Sequence, residues 1–437
     1  MRRVRNFNNR TASILVVSSA AFYAASFLFD FCGVLSFICF VPLFFQRFSS
    51  YAGAAGAGFV WGVVAYGLTL SALLEVIIRL GEKPLSSLYA LGFLGYFVFF
   101  SMLWCALALF LKRLTGSWAA GWLASSFLYF AWVHNGFFYF LTGYWYGYPL
   151  ACPLVPLMEI SACLGLLPLV GGYGLLFALI GLQVGISHRK KLFIICGAFP
   201  FLGGFFISHQ ETVNEQQEQK IVIIASSFYE NTPYERAHEV GKVLRETEHS
   251  HPLAQVFVLP ESTFPFPLNR YQYAQELLSP VCAEKYVLVG SHYGAEEGEG
   301  KFSLYNSAYV LRAGRILYRY DKKLLLPFFE EQPSPSFFFH RIHSPFLVGK
   351  SAFDSQKKSP TRYTVPGVGS FSFRICSELL WDIPLHEQVV LLVNDSHYRY
   401  AYFSRLFKLF AQFQAVEKQS TLVYCGWKQK GRFDHSL

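Results

Sequence analysis

Acidic residues are nearly absent from positions 11–208 of this chain, and that absence constrains the fold more than any motif. Long apolar runs fill the same stretch, whereas positions 209–437 have the polarity of an ordinary globular domain. The whole chain is 53% hydrophobic and only 15% charged. Soluble domains carry about 25% charged residues. The sequence therefore predicts a membrane part over 1–208 and a separate globular part over 209–437, each long enough to bury its own core.

Apolar runs fall at 12–29, 33–45, 52–78, 86–111, 118–138, 162–186 and 192–208. About 20 apolar residues cross a bilayer, so the short, proline-containing run at 33–45 is the weakest of the seven and reads as tilted or re-entrant. The first run, behind Arg2, Arg3, Arg5 and Arg10, has the outline of a signal peptide. The runs that follow favour an uncleaved span instead. Basic residues test the count. With seven spans and the N-terminus inside, the inner segments hold Arg2, Arg3, Arg5, Arg10, Arg47, Lys112, Arg113, Arg189, Lys190 and Lys191, against Arg79 and Lys83 outside. That asymmetry fits the positive-inside rule. An odd number of spans places 209–437 on the far side, periplasmic in a bacterial inner membrane. The net charge of +9 is thus a topology signal and not a nucleic-acid footprint.

Between the fifth and sixth runs lies an aromatic, Gly- and Pro-rich segment at 139–160. It reads as an interfacial belt, with a membrane-facing wall for a lipid as the sharper alternative. Glu75, His134 and Glu159 sit in or beside apolar runs, where ionisable groups are costly and often functional. An interfacial position explains each equally well. The nine cysteines show no CxxC pair and no Cys/His metal spacing, so the chain is neither a disulfide framework nor a zinc module.

The polar half alternates strand and helix patterns. Strands are expected at 221–225, 256–259, 286–290, 306–312, 316–320, 371–375, 389–393 and 422–424, and helices at 234–248, 271–278 and 402–419. That is a layered α/β domain. An insertion rich in Pro, Ser, Phe and His occupies 333–360.

Three expected strand ends carry reactive groups: Leu259-Pro-Glu261, Tyr320-Asp-Lys322 with Glu330 beyond it, and Ile375-Cys376-Ser-Glu378. A cysteine nucleophile needs a base, which a carboxylate can supply. It also needs a fixed positive charge where the oxyanion develops, which a lysine can supply. Singly, each has a plain structural explanation: a solvated strand end, a basic turn, a packed thiol. Their joint occurrence suffices for acyl transfer through a thioester.

In this order and with these flanks, the three groups resemble the Glu-Lys-Cys triad of the nitrilase (carbon-nitrogen hydrolase) superfamily. Combined with a multi-span N-terminal half, the chain resembles its membrane branch, the apolipoprotein N-acyltransferases. Gly33-Val-Leu-Ser-Phe-Ile-Cys-Phe-Val-Pro-Leu-Phe-Phe, Gly58-Phe-Val-Trp-Gly-Val-Val, Tyr305-Asn-Ser and Val-Asn394-Asp395 belong to the same likeness. The resemblance implies an αββα sandwich, C-terminally shortened, after a multi-span α-helical membrane domain. It implies Glu261 as general base, Lys322 as transition-state stabiliser and Cys376 as nucleophile. Glu330, Glu378 and Asn394 would support them. It further implies a phospholipid acyl donor, a diacylglyceryl apolipoprotein acceptor, a monomer in the membrane, and no metal or other cofactor. The chain departs from the family at Ser396-His397-Tyr398, along 414–431, and in ending at Leu437. Those departures keep two alternatives open: a conjugal-transfer TraB-type homologue without catalysis, and a membrane-anchored amidase.

Overall fold

The computed structural model describes residues 9–80, 85–135, 148–207, 220–226, 228, 232–280, 283–297, 301–325, 353, 361–380, 383–396 and 400–433. In the first half, four helices are long and apolar enough to cross a membrane, at Thr11–Leu28, Tyr51–Thr69, Ala90–Thr115 and Leu167–His188. Shorter apolar helices lie at Cys32–Phe44 and Lys191–Phe206. A further 18-residue helix spans Trp118–Asn135. The apolar run at 52–78 forms two helices, Tyr51–Thr69 and Ser71–Leu80, that meet at Leu70. Ser50 caps the first of these, accepting from Gly53 N–H at 3.1 Å, as an N-cap serine does.

Small residues let these helices touch. A Cβ on Gly58 would lie 2.2 Å from the Ser101 carbonyl oxygen on the Leu85–Thr115 helix, so only glycine permits the approach. Large aromatics fill the remaining space, and their polar atoms find partners inside. Trp61 Nε1 donates to Ser19 Oγ and Trp104 Nε1 to Ser126 Oγ, both at 3.1 Å. The Tyr66 and Tyr129 hydroxyls are 2.6 Å apart. Residues 139–147 of the expected belt lie outside the described residues. The remainder forms 3-10 turns at Pro149–Ala151 and Pro156–Leu164, and Leu154, Val155 and Leu157 are wholly buried. This stretch is core packing.

The polar half is built on two sheets. The first holds β1 (Ile221–Ile223), β2 (Val256–Val258), β3 (Phe264–Pro267), β4 (Tyr286–Glu297), β5 (Lys301–Arg312) and β6 (Arg315–Asp321) in the order β1-β2-β4-β5-β6, with β3 also on β4. The second holds β7 (Arg362–Val365), β8 (Gly369–Ile375), β9 (Gln388–Leu392), β10 (Thr421–Cys425) and β11 (Lys430–Phe433) in the order β11-β10-β9-β8-β7. Strands β1, β2 and β4 run parallel at one side of the first sheet, and β8, β9 and β10 run parallel at the centre of the second. The inner ones, such as β2 and β9, carry the apolar runs of strands buried on both faces.

Side-chain alternation assigns the layers. Val256 and Val258 meet Phe371, Phe373 and Ile375 between the sheets. Phe257 and Leu259 point the other way, into a core closed by helices Pro233–Ser250 and Gln272–Leu278. On the far side, Val389, Leu391, Leu422 and Tyr424 pack under helix Ala401–Glu417. Helix, sheet, sheet and helix make an αββα sandwich, preceded by the apolar helices.

The fourth layer also meets the first half of the chain. Arg405 Nη1 donates to Glu159 Oε1 at 2.5 Å and lies 2.6 Å from Asp30 Oδ1, while Nη2 donates to the Phe27 carbonyl. The Tyr402 hydroxyl donates to the Thr69 carbonyl at 3.2 Å and accepts from Ala72 N–H at 3.0 Å. Gly171 breaks its helix with φ 68°, and the freed N–H of Gly172 donates to Glu417 Oε1 at 2.7 Å. Glu159 is therefore a docking carboxylate. The side chain of His134 lies outside the described residues.

Candidate active site

Glu261 sits just beyond β2, where Pro260 ends the strand. The turn lies flat on β4 because Gly290 has no Cβ: one placed there would be 2.4 Å from Glu261 Cα. Glu261 is 5% exposed. Its Oε1 accepts from Asn306 Nδ2 and its Oε2 from the backbone N–H of Asn394, each at 2.8 Å. Its own carbonyl accepts from Trp427 Nε1 at 2.7 Å. Both the carboxylate and the backbone behind it are fixed.

Lys322 follows β6 directly and is 1% exposed. A lysine this buried needs a counter-charge, because an isolated ammonium in an apolar interior is very costly. Glu261 provides one, with Oε1 4.0 Å from Lys322 Nζ. Asn306 spans the pair: its carbonyl accepts from Lys322 N–H at 2.8 Å while its amide holds Glu261.

Cys376 stands at the junction of β8 and a 3-10 turn, Cys376–Leu380. Its φ is 48°, a left-handed conformation that a non-glycine residue holds at a cost of about 1–3 kcal/mol. Ile375, Ser377 and Glu378 around it are buried, while Cys376 is partly exposed. The strained turn thus presents the thiol and hides its neighbours.

Glu378 ties that turn to the lysine loop. Its Oε2 accepts from Ile375 N–H, and its Oε1 accepts from the Tyr320 hydroxyl and Lys323 N–H, each at 2.8 Å, and from Leu324 N–H at 3.3 Å. Burial pushes its carboxyl above the ordinary range, and the donors and the Lys322 charge hold it back. The residues flanking Cys376 and Lys322 are thereby stitched together.

The structure brings Glu261, Lys322 and Asn394 into one buried cluster and joins the Cys376 turn to it through Glu378. Asn394 contributes its backbone N–H, while its side-chain oxygen accepts from Ser396 N–H at 3.2 Å and from Ser396 Oγ at 2.5 Å. Glu330 and nearly all of the 333–360 insertion lie outside the described residues. Among the described residues, no group of three His, Cys, Asp or Glu side chains could hold a metal ion. The bridging role of Asn306 and the Trp427 bond were not read from sequence. Tyr305-Asn-Ser was visible as a motif, but the partner across the sheet was not.

No family model matches the chain. Two curated proteins are similar to it. One, from Wolinella succinogenes, is 28% identical over 172 residues, 39% of this chain and 40% of the relative. The other, from Aquifex aeolicus, is 23% identical over 257 residues, 56% of each. Both are named apolipoprotein N-acyltransferase. They are homologues of this chain. The matches thus span about half the length, or less, of these acyltransferases. Similar solved structures include a carbon-nitrogen hydrolase from Helicobacter pylori G27, with TM-score 0.32 and 14% identity over 46% of this chain and 70% of that one. Nit3 of Saccharomyces cerevisiae, a nitrilase-superfamily member, gives TM-score 0.35 and 12% identity over 49% and 82%. The layered architecture described above rests on the strand pairing itself, not on these overlaps.

Proposed function

We propose that this chain is a membrane N-acyltransferase in which Cys376 carries the acyl group. The observation that carries the reading is the buried Glu261–Lys322 pair at 4.0 Å, with the Cys376 turn anchored beside it by Glu378. The acyltransferase homologues support it.

In the first half-reaction Glu261 takes the thiol proton, and the sulfur attacks the sn-1 ester carbonyl of a phospholipid. Lys322 faces the oxyanion of the tetrahedral intermediate. A fixed donor of this kind contributes about 10²–10³ in rate. Collapse breaks the ester bond, and Glu261 returns the proton to the leaving glycerol oxygen, giving a lysophospholipid and a Cys376 thioester. In the second half-reaction the α-amino group of a diacylglyceryl-cysteine attacks the thioester. Glu261 accepts the amine proton, the amide forms, and the thiol is regenerated. Each carboxylate step of this type is worth about 10²–10⁴. Both substrates are lipids, which is why the site sits on apolar helices, with the catalytic half on the periplasmic face of the inner membrane.

Intact-protein mass spectrometry after incubation with a defined phospholipid tests this. Wild type is expected to gain one fatty-acyl mass, removed by hydroxylamine, and Cys376→Ala none. A folded wild type that gains no adduct from several donors overturns the reading.

A further inference from the structure

A groove in the first half of the chain plays no part in the chemistry above. It lies between helices Leu85–Thr115 and Trp118–Asn135 and encloses about 530 Å³. Trp104, Ser125 and Tyr129 form a buried floor, and Leu103, Phe110 and Leu128 form exposed rims. The polar atoms of the floor already have partners. The Tyr129 hydroxyl is 2.6 Å from that of Tyr66 and 3.0 Å from Ser101 Oγ, and Ser125 Oγ donates to the Trp122 carbonyl at 3.4 Å. What the groove offers an occupant is apolar contact.

Two cations stand just past one end of the groove, outside its lining. Tyr51 lines that end, and the Arg113 guanidinium lies 4.4 Å from the centre of its ring. Lys112, beside it, places its ammonium 5.7 Å from the Trp118 ring. The sequence has no Asp or Glu from residue 83 through residue 158, so this stretch of chain supplies no carboxylate to neutralise the two cations. An apolar slot with two positive charges just past one end fits an amphiphile with an anionic head and a hydrocarbon tail. Basic residues at the membrane surface attract anionic headgroups in this way.

We propose that this groove binds one anionic phospholipid from the leaflet on the Lys112–Arg113 side, with an acyl chain over Trp104 and Tyr129 and the phosphate at Lys112 and Arg113. This lipid is not the acyl donor. Tyr51 begins a helix of 19 residues whose other end, at Thr69, meets Tyr402 of the catalytic half. At 1.5 Å per residue the two ends are roughly 27 Å apart. The inference rests on the apolar helices lying in a bilayer and is independent of the acyl-transfer reading.

Native mass spectrometry of the full chain in detergent, titrated with phosphatidylglycerol or with phosphatidylcholine of the same chain length, tests it. Wild type is expected to retain one phosphatidylglycerol under activation that strips all other lipid, with an affinity about tenfold above phosphatidylcholine. The double variant Lys112→Ala, Arg113→Ala is expected to lose that preference. Leu128→Trp, which fills the groove, is expected to lose tight binding of both lipids. Unfolding midpoints in lipid-free detergent report whether each variant folds, and the charge variant decides alone if Leu128→Trp does not. Equal retention of the two lipids by wild type, or unchanged phosphatidylglycerol binding by the charge variant, overturns the proposal.

Discussion

Arg405 and Glu159 face each other at 2.5 Å across the boundary between the αββα sandwich and the apolar helices. Their side chains are only 16% and 12% exposed. Glu159 also accepts from Gly33 N–H at 3.0 Å, so one carboxylate joins three segments distant in sequence.

Arg405→Ala is expected to leave Glu159 unpaired. Removing one partner of a buried ion pair destabilises by about 3–5 kcal/mol. The measurement is the rate of limited proteolysis in detergent, where the variant should be cut faster near the boundary. The double variant Arg405→Met, Glu159→Leu should recover much of the loss, because it leaves no orphaned buried charge. Asp30, the other partner of Arg405, is 72% exposed and is solvated by water.

Asn306 holds Glu261 through its side chain and Lys322 through its backbone. Asn306→Ala keeps the backbone contact and deletes the hydrogen bond to the carboxylate. A bond to a charged group is worth about 1.5–3 kcal/mol, so the acylation rate should fall roughly tenfold to a hundredfold. A structural role alone would lower the unfolding midpoint and leave single-turnover acylation unchanged in the folded fraction.

Cys376 holds a φ of 48°. Cys376→Gly and Cys376→Ala should be equally unable to form an adduct, but glycine adopts that conformation without the strain imposed by a Cβ. The glycine variant should therefore be the more stable of the two by about 1 kcal/mol. Comparing their unfolding midpoints in one detergent checks this; an alanine variant as stable as glycine would remove strain from the account of the turn.

Glu378 has a raised carboxyl pKa because it is buried. The native state then keeps this proton at pH values where the unfolded chain has lost it. The stability linked to that proton is complete below the ordinary carboxylate pKa of about 4 and is lost as pH rises through the raised native value. Glu378→Gln has no proton to lose. As pH rises from about 4 through the raised native value, wild type should lose resistance to unfolding relative to this variant. A parallel pH dependence for the two proteins would contradict the assignment.

The long strands and helices of the sandwich were legible because each carries a period of its own. The helix at Pro233–Ser250 even announces its start, with Thr232 as N-cap accepting from Glu235 N–H at 3.2 Å. The missed strands lacked such a signal. Phe264-Pro-Phe-Pro267 has a proline at every second position, which argues against a strand. Arg362–Val365 and Lys430–Phe433 are edge strands paired on one side only, so their sequences are polar and short. At the site, Glu261, Lys322, Cys376 and Glu378 could be named from strand ends and resemblance. The contacts of Asn306, Trp427 and Arg405 join residues 45, 166 and 246 positions apart, and no local pattern encodes such a pairing.

Helix Ala401–Glu417 buries one side on β9 and β10 and the other on the apolar helices, and a single continuous core runs through Phe403, Phe407 and Phe410 to Tyr23 and Trp61. A sandwich cut free of the first 208 residues would expose that oily flank to water and is expected to aggregate. The same geometry sets an order of manufacture. A ribosome releases this helix last among the α-helices described, after the bilayer-embedded bundle that must receive it. The Cys376 turn packs against the same core, so it acquires that backing only after the apolar helices are in place.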